Sequence, residues 1–303
     1  MSKKYAIIGT GAIGGFYGGK LAKKGHDVHF LAKSDYEHIK NKGLTIHSIN
    51  GDFHLEKVNV YNDISNMPPC DVICICLKTT NNHLLPSFIS KIAHDKSTIV
   101  LIQNGLGMEQ ELSVLFPELK IAGGMAYICS SKSQPGLVYH QDNGQISFGT
   151  FNFDDISILE EIAEDFVSSG VSAKVEKNLG AARWRKLIWN IPYNGLSVVL
   201  DSSTDKLMNN SASRSIVKEL MLETIEGAQA CGYALNPELA DQMLEFTDRM
   251  RPYYPSMKLD YDNHRVMEIK YIYSNPVSLA KKSGYKMRKV EMLENQLKFL
   301  QDQ

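Results

Sequence analysis

No apolar run in this 303-residue chain approaches the roughly 20 residues a helix needs to cross a bilayer, so membrane embedding is not expected. A surplus of positive charge is missing too. The 33 Lys and Arg stand against 34 Asp and Glu, a formal net charge of −1, which gives no basic field for a polynucleotide and no acidic tail. Nucleic acid is therefore not expected as a partner. Cysteine is scarce and unpatterned: of five, Cys70, Cys74, Cys76 and Cys129 stand in apolar strand contexts and Cys231 in a helical one. An odd count without regular spacing reads as reduced core thiols of a cytoplasmic protein, not as a disulfide framework. Cys74 and Cys76 would share one face of a strand, but no second ligand pair accompanies them, and no metal site is expected. The sequence enters its first strand directly after Ser2-Lys3-Lys4, so a signal peptide is not expected. Internal repeats and low-complexity tracts are also lacking.

What is present begins with a hydrophobic content of 43%, enough for a substantial core, in a length that favours two domains. The organising stretch is Tyr5-Ala6-Ile7-Ile8-Gly9-Thr10-Gly11-Ala12-Ile13-Gly14-Gly15, a strand running through a glycine turn into a helix. In a dinucleotide-binding opening, Gly9 allows the tight turn and Gly11 lets the backbone approach a pyrophosphate. Gly14 then lets the helix pack closely on the strand. A helix starting near Ala12 points unpaired N–H groups and the positive end of its dipole at the phosphates. The glycine pattern alone is common in loops. Its context is what selects it: four apolar residues before, helix signals over Gly15 to Lys24, and a second strand over Asp27 to Ala32. Beyond that second strand an Asp or Glu would hold a ribose 2′-hydroxyl, whereas a cation welcomes a 2′-phosphate. Lys33-Ser34 favours NADP(H), although Lys33 also reads as a solvated loop lysine and the neighbouring Asp35 is a mixed signal.

Residues 1–176 alternate strand and helix signals, the pattern of an open parallel sheet covered on both faces. Strand candidates at Leu44–Ser48 and Phe53–Val60 join through Asn50-Gly51, a hairpin signal. Cys70–Leu77 is a buried strand ending at Lys78, where parallel sheets hold ligands. A helix over Asn81–His94 leads to the strand Ser97–Ile102, which ends in Gln103-Asn104-Gly105. Asn104 can present an amide to ribose or nicotinamide, or simply form an Asn-Gly turn. A helix over Gly107–Phe116 precedes strand candidates at 121–129, 136–140 and 145–149, an antiparallel addition, and helix 154–168 with strand 171–175 completes the domain. His140, an edge-strand histidine without a recognisable partner, reads as structural rather than as a base. From Asn178 the periodicity is helical throughout, with helices over 178–200, 213–231, 237–250, 258–283 and 289–300.

A nicotinamide cofactor needs a group to handle the proton that accompanies the hydride, and the helical half has to supply it. Lys186, Asn190 and Asn194 recur every four residues and so lie along one helix face, suited to a small polar substrate or else merely wet. Pro192 within that segment should kink it. Ser256 can cap the helix that follows it. Glu268, inside that helix, needs a partner, either Lys186 or the nearby Arg265.

Together these motifs resemble one family across nearly the whole chain, the ketopantoate reductases. The resemblance rests on Gly9-x-Gly11-x-x-Gly14, basic Lys33, Lys78-Thr79, Gln103-Asn104-Gly105 and Gly136-x-Val138. In the second half it adds Trp184-x-Lys186-Leu187-x-x-Asn190-x-x-x-Asn194-x-Leu196, Ser256-Met257-x-x-Asp260, Arg265 and Glu268-Ile269. It implies a Rossmann-type doubly wound sheet domain (1–176) that binds NADP(H), followed by an all-helical substrate and catalytic domain (177–303). The implied reaction is NADPH-dependent reduction of 2-dehydropantoate to (R)-pantoate, a step towards pantothenate and coenzyme A. By matched positions, Lys186 would be the general acid and Glu268 would orient it, the substrate and the cofactor ribose. Asn190, Asn194 and Ser256 would hold the substrate. The cofactor would be met by Gly9, Thr10, Gly11, Ala12, Ile13 and Gly14, by Lys33 and Lys78 at the 2′-phosphate, and by Asn104 at the nicotinamide. The sequence departs from the family pattern at Lys33-Ser34, where arginine is common, at Lys258-Leu259 for x-Gln, and at Met267 and Lys270 for Thr and Asp. Alternatives are a reductase of another 2-oxo acid and a non-catalytic NADP-binding regulator. The partner expected is a small-molecule 2-oxo acid, and a homodimer is compatible with this reading.

Overall fold

The computed structural model describes residues 3–303. The chain divides into two compact units, one running to Gln103 and resuming over Met108–Leu179, the other made of Asn104–Gly107 and Gly180–Gln303.

The first unit opens with β1 (Lys4–Ile8), α1 (Ala12–Lys24), β2 (Asp27–Leu31) and α2 (Tyr36–Lys42). The strands β3 (Leu44–Ser48), β4 (Phe53–Leu55), β5 (Asn59–Tyr61) and β6 (Val72–Ile75) come next. A 3-10 turn over Thr79–Leu84 leads into α3 (Leu85–Ile92), followed by β7 (Thr98–Leu101), α4 (Met108–Leu115), β8 (Lys120–Gln134), β9 (Leu137–Thr150), α5 (Ser157–Ser168) and β10 (Ala173–Val175). Ten strands form one sheet in the order β4-β3-β9-β8-β7-β6-β1-β2-β5, with β10 on β9. The central pairs β1–β2, β1–β6, β6–β7 and β7–β8 are parallel, and β8–β9 and β3–β4 are antiparallel. Tyr5, Ala6, Ile7 and Ile8 are all buried, as a strand covered on both faces requires.

Two expectations for this unit are corrected. Phe53–Val60 is not one strand: β4 pairs with β3 at one edge, while β5 pairs in parallel with β2 at the other. The candidates at 136–140 and 145–149 are one strand, β9, continued through a bulge where Asn143 (φ 60°) and Gly144 (φ 114°) insert an extra residue opposite β8.

The second unit is helical apart from its loops: α6 (Leu179–Val199), α7 (Thr204–Asn209), α8 (Ser211–Ala230), α9 (Leu239–Asp248), α10 (Ser256–Asp262), a π-turn over Lys270–Ser274, α11 (Asn275–Lys282) and α12 (Arg288–Gln301). Its core joins Leu187, Ile188 and Ile191 of α6 to Val217, Leu220 and Met221 of α8 and to Val290, Leu293 and Leu297 of α12. The segment expected as one helix over 258–283 is three pieces. His264 turns left-handed at φ 52°, and the amides of His264 and Arg265 close α10 by donating to the carbonyls of Tyr261 and Asp260. Among the described residues no helix is long and apolar enough to cross a membrane.

Candidate active site

The turn between β1 and α1 is built around close approach. Gly9 sits at φ +101°, and a Cβ there would lie 2.9 Å from the Leu77 nitrogen. A Cβ on Gly14 would lie 2.2 Å from the Gly9 carbonyl oxygen. Thr10 fastens the turn to β2, its amide and its Oγ1 both donating to the Leu31 carbonyl at 3.3 and 3.0 Å. Gly11 has an ordinary φ of −89°, so its value is space: a Cβ there would meet no atom within 4 Å. It N-caps α1 without a side-chain cap, and the first turn holds no acidic residue. The amides of Ala12, Ile13 and Gly14 precede the first helical bond, Gly15 N–H to the Gly11 carbonyl, and have no acceptor within the helix. An uncapped 13-residue helix whose N-cap glycine has no atom within 4 Å of its Cβ position fits a dinucleotide pyrophosphate.

Lys33 and Ser34 are exposed beyond β2, and Lys78 is half-buried at the start of the 3-10 turn beyond β6. That second tip is braced by Gln103, whose Nε2 donates to the Leu77 carbonyl (2.8 Å) and to Asn82 Oδ1 (2.7 Å). Asp35 turns inward instead of towards Lys33: it is buried and ion-paired with Lys132 at 2.7 Å. His140 is buried, with Nδ1 2.8 Å from Ser48 Oγ and Nε2 2.9 Å from the Asn143 carbonyl. Both ring nitrogens are engaged within the sheet unit, a structural role.

In the helical unit, α6 carries Lys186, Asn190 and Asn194 on one face and continues through Pro192. Lys186 is half-buried, whereas Asn190 and Asn194 are buried. Burial pushes the Lys186 amine down to about 7, the neighbouring Arg183 guanidinium pushes the same way, and the Glu268 carboxylate opposes both. Arg183, itself buried, stands three residues before Lys186, one helical turn away. The i, i+3 spacing could have drawn attention to it in the sequence. Asn190 Nδ2 is buried without a hydrogen-bond partner, an orphaned donor of the kind a bound ligand satisfies. Asn194 Oδ1 accepts from the Met257 amide at 3.3 Å, so this side chain caps the first turn of α10 and ties it to α6.

Two placements differ from expectation. Ser256 is the first residue of α10 rather than its cap; the extended Pro255 (φ −58°, ψ 154°) ends the preceding segment and holds the N-cap position. Glu268 is not inside a helix. It lies buried on the non-helical stretch just before the π-turn, where its carbonyl accepts from the Ile272 amide. Arg265 pairs with Asp260 (Nε to Oδ1, 3.1 Å), and it is Lys186 that feels the Glu268 charge. Asn104, half-buried, belongs to this helical unit. The next residues are held on the π-turn, with the Leu106 amide donating to the Tyr271 carbonyl (2.9 Å) and Asn275 Nδ2 donating to the Leu106 carbonyl (2.7 Å).

Residues 5–152 match the ketopantoate reductase PanE/ApbA family, and residues 178–301 match its C-terminal domain. A 2-dehydropantoate 2-reductase of Nostoc sp. is 44% identical over 303 residues, covering 98% of this chain and 95% of the relative. The crystal structure of 2-dehydropantoate 2-reductase from Geobacter metallireducens aligns with a TM-score of 0.95 at 40% identity, covering 98% of this chain and 99% of that one. A dimeric ketopantoate reductase from Staphylococcus aureus, 20% identical over 99% of each chain, shares the fold with a TM-score of 0.85. With its doubly wound sheet unit, its helical unit and matches that span both, the chain belongs to the ketopantoate reductase family of NADP-dependent oxidoreductases.

Proposed function

We propose that this chain reduces 2-dehydropantoate to (R)-pantoate, a step of pantothenate and coenzyme A biosynthesis, with Lys186 as the general acid. The observation that carries this reading is an amine brought to about 7 on a helix face it shares with two buried amides. Bound NADPH supplies a hydride from nicotinamide C4 to the C2 carbonyl carbon. Lys186 Nζ gives its proton to the carbonyl oxygen as negative charge builds there, and the ammonium stabilises that charge until the transfer is complete. Glu268 favours the protonated amine against burial and Arg183, and it orients the substrate hydroxyl and the cofactor ribose. The orphaned Nδ2 of Asn190 donates to the substrate. Asn194, with its Oδ1 engaged by Met257, offers its Nδ2, and Ser256 at the start of α10 adds a hydroxyl.

Residues 1–176 hold NADP(H) through the turn from Gly9 to Gly14, with Lys33 and Lys78 at the 2′-phosphate; Asn104 lines the nicotinamide side, and residues 177–303 hold substrate. All five cysteines are free thiols, in keeping with a cytoplasmic setting. A homodimer is supported by an apolar stripe on α12, where Met292 and Phe299 are exposed beside Val199 and Leu300. A monomeric mass by sedimentation at micromolar concentration would remove that part.

The test of the reaction is NADPH oxidation with 2-dehydropantoate, followed by the loss of the reduced nicotinamide's absorbance, in wild type and Lys186→Ala. Turnover should fall by about two to four orders of magnitude in the variant, the range of general acid catalysis. Near-normal turnover removes Lys186 from its role, and no oxidation by the wild type removes the substrate.

A further inference from the structure

The sequence places an acidic residue, Asp35, next to the tip that is to receive a 2′-phosphate, and a carboxylate there is the feature that suits NAD. The structure gives this carboxylate a different employment. Asp35 is 3% exposed, and each of its oxygens is taken from within the first unit. Oδ1 accepts from Lys132 Nζ on β8 at 2.7 Å and from Ser34 Oγ at 2.8 Å, while Oδ2 accepts from the Gly136 amide in the β8–β9 turn at 3.2 Å. The backbone follows the same inward course, with the Asp35 carbonyl accepting from the Ile39 amide inside α2. Lys33 alone of the three loop side chains faces solvent without being drawn into this knot.

We infer that Lys132 is a specificity-determining residue for NADPH over NADH: by pairing with the buried Asp35 it cancels the negative charge of the Lys33–Asp35 loop and holds that loop in a form that offers a cation to the 2′-phosphate. Three observations meet in this. Lys132 comes from a strand far along the chain, so the pair is a tertiary device and not a local turn habit. Its side chain is 30% exposed and that of Asp35 only 4%, so removing the lysine leaves the charge, not the cation, stranded. Burial by itself would raise the Asp35 carboxyl; the Lys132 ammonium, the Ser34 hydroxyl and the Gly136 amide together hold it below the usual carboxylate range, so at neutral pH it is an anion. Without its partner, that anion repels a dianionic 2′-phosphate and becomes an acceptor for the 2′-hydroxyl of NADH.

The inference rests on the 2′-phosphate lying beside Lys33. Failure of that premise has its own signature, unchanged NADPH affinity in Lys33→Ala. The experiment measures dissociation constants of NADPH, NADH, 2′,5′-ADP and 5′-AMP by calorimetry on the full chain, with steady-state KM and kcat beside them. Lys132→Met should cut the NADPH-over-NADH affinity ratio about tenfold or more, and the 2′,5′-ADP over 5′-AMP ratio in parallel, with the loss in KM for NADPH rather than in kcat. Lys132→Arg should keep the ratios, and Asp35→Asn/Lys132→Met should restore most of them because the stranded charge is gone. Unchanged ratios in folded Lys132→Met overturn the inference, as does a double variant as impaired as the single one. Should Lys132→Met not fold, Lys132→Gln, which can still donate to Asp35 but carries no charge, decides: a fallen NADPH-over-NADH ratio supports the inference, and an unchanged ratio overturns it.

Discussion

A lysine that is to donate a proton at neutral pH, the role proposed for Lys186, must lose most of its ordinary basicity and still carry a proton, and the surroundings of Lys186 act in that direction. Burial, the first cause, and Arg183, one turn away, both favour the neutral amine; Glu268 favours the charged one. With the value near 7, the protonated acid prevails below pH 7 and is lost above it. The kcat/KM for 2-dehydropantoate reduction should therefore be level on the acid side and fall as pH rises through about 7, since this parameter reports the free enzyme. Glu268→Gln removes the opposing charge and should move that inflection to lower pH, whatever it does to turnover. A profile whose inflection is the same in both proteins would show that Glu268 does not set the acidity of the amine. The sequence made the i, i+4 face of Lys186, Asn190 and Asn194 legible because a helical face is a matter of spacing alone. It left the choice between Lys186 and Arg265 as the company of Glu268 open, because that choice depends on Arg265 turning to Asp260.

The elements that carry the site were legible where period decides and obscure where one residue's backbone decides. Strand β1, the glycine turn, α1 and β2 fall where Tyr5–Gly14 and Asp27–Ala32 indicate, since apolar runs and glycine spacing fix a parallel βαβ unit. The apolar period across 258–283 continues through His264, but the left-handed φ there stops α10 and leaves Glu268 on a non-helical segment ahead of a π-turn. That π-turn also holds the Asn104–Gly107 loop, which sequence order assigns to the sheet and tertiary contact to the helices. Gly105 is the point of closest approach, at φ +108° with a Cβ position 2.4 Å from the Tyr271 carbonyl oxygen. Gly105→Ala should destabilise the protein by at least about 1–3 kcal/mol, the cost of a strained backbone residue. Displacing Asn104 from its neighbours should also lower turnover by up to about 100-fold. A melting temperature and kcat both equal to wild type would mean the loop is not held this way.

The whole molecule consists of two units that each possess a core, one built on the sheet and the other on α6, α8 and α12, and the reading proposed above gives cofactor chemistry to the first and substrate chemistry to the second. Hydrogen exchange can follow each unit separately, because a ligand slows exchange where it holds backbone amides or closes local openings. The adenosine half of the cofactor, used alone as 2′,5′-ADP, carries the 2′-phosphate and the 5′-phosphate of the bridge but no nicotinamide. It should slow exchange in peptides spanning Gly9–Gly14 and Lys33–Asp35, where the amides of Ala12, Ile13 and Gly14 lack helical acceptors. Peptides covering Lys186–Asn194 and Ser256–Glu268 should be unaffected by it and should respond instead to pantoate, whose carboxylate and hydroxyls are the partners proposed for Asn190, Asn194 and Ser256. The capping bond from the Met257 amide to Asn194 makes α10 a sensitive reporter, since a ligand that orders Asn194 also holds the first turn of that helix. Protection of the helical unit by 2′,5′-ADP with none at the glycine turn would reverse the division and remove the sheet unit from cofactor binding.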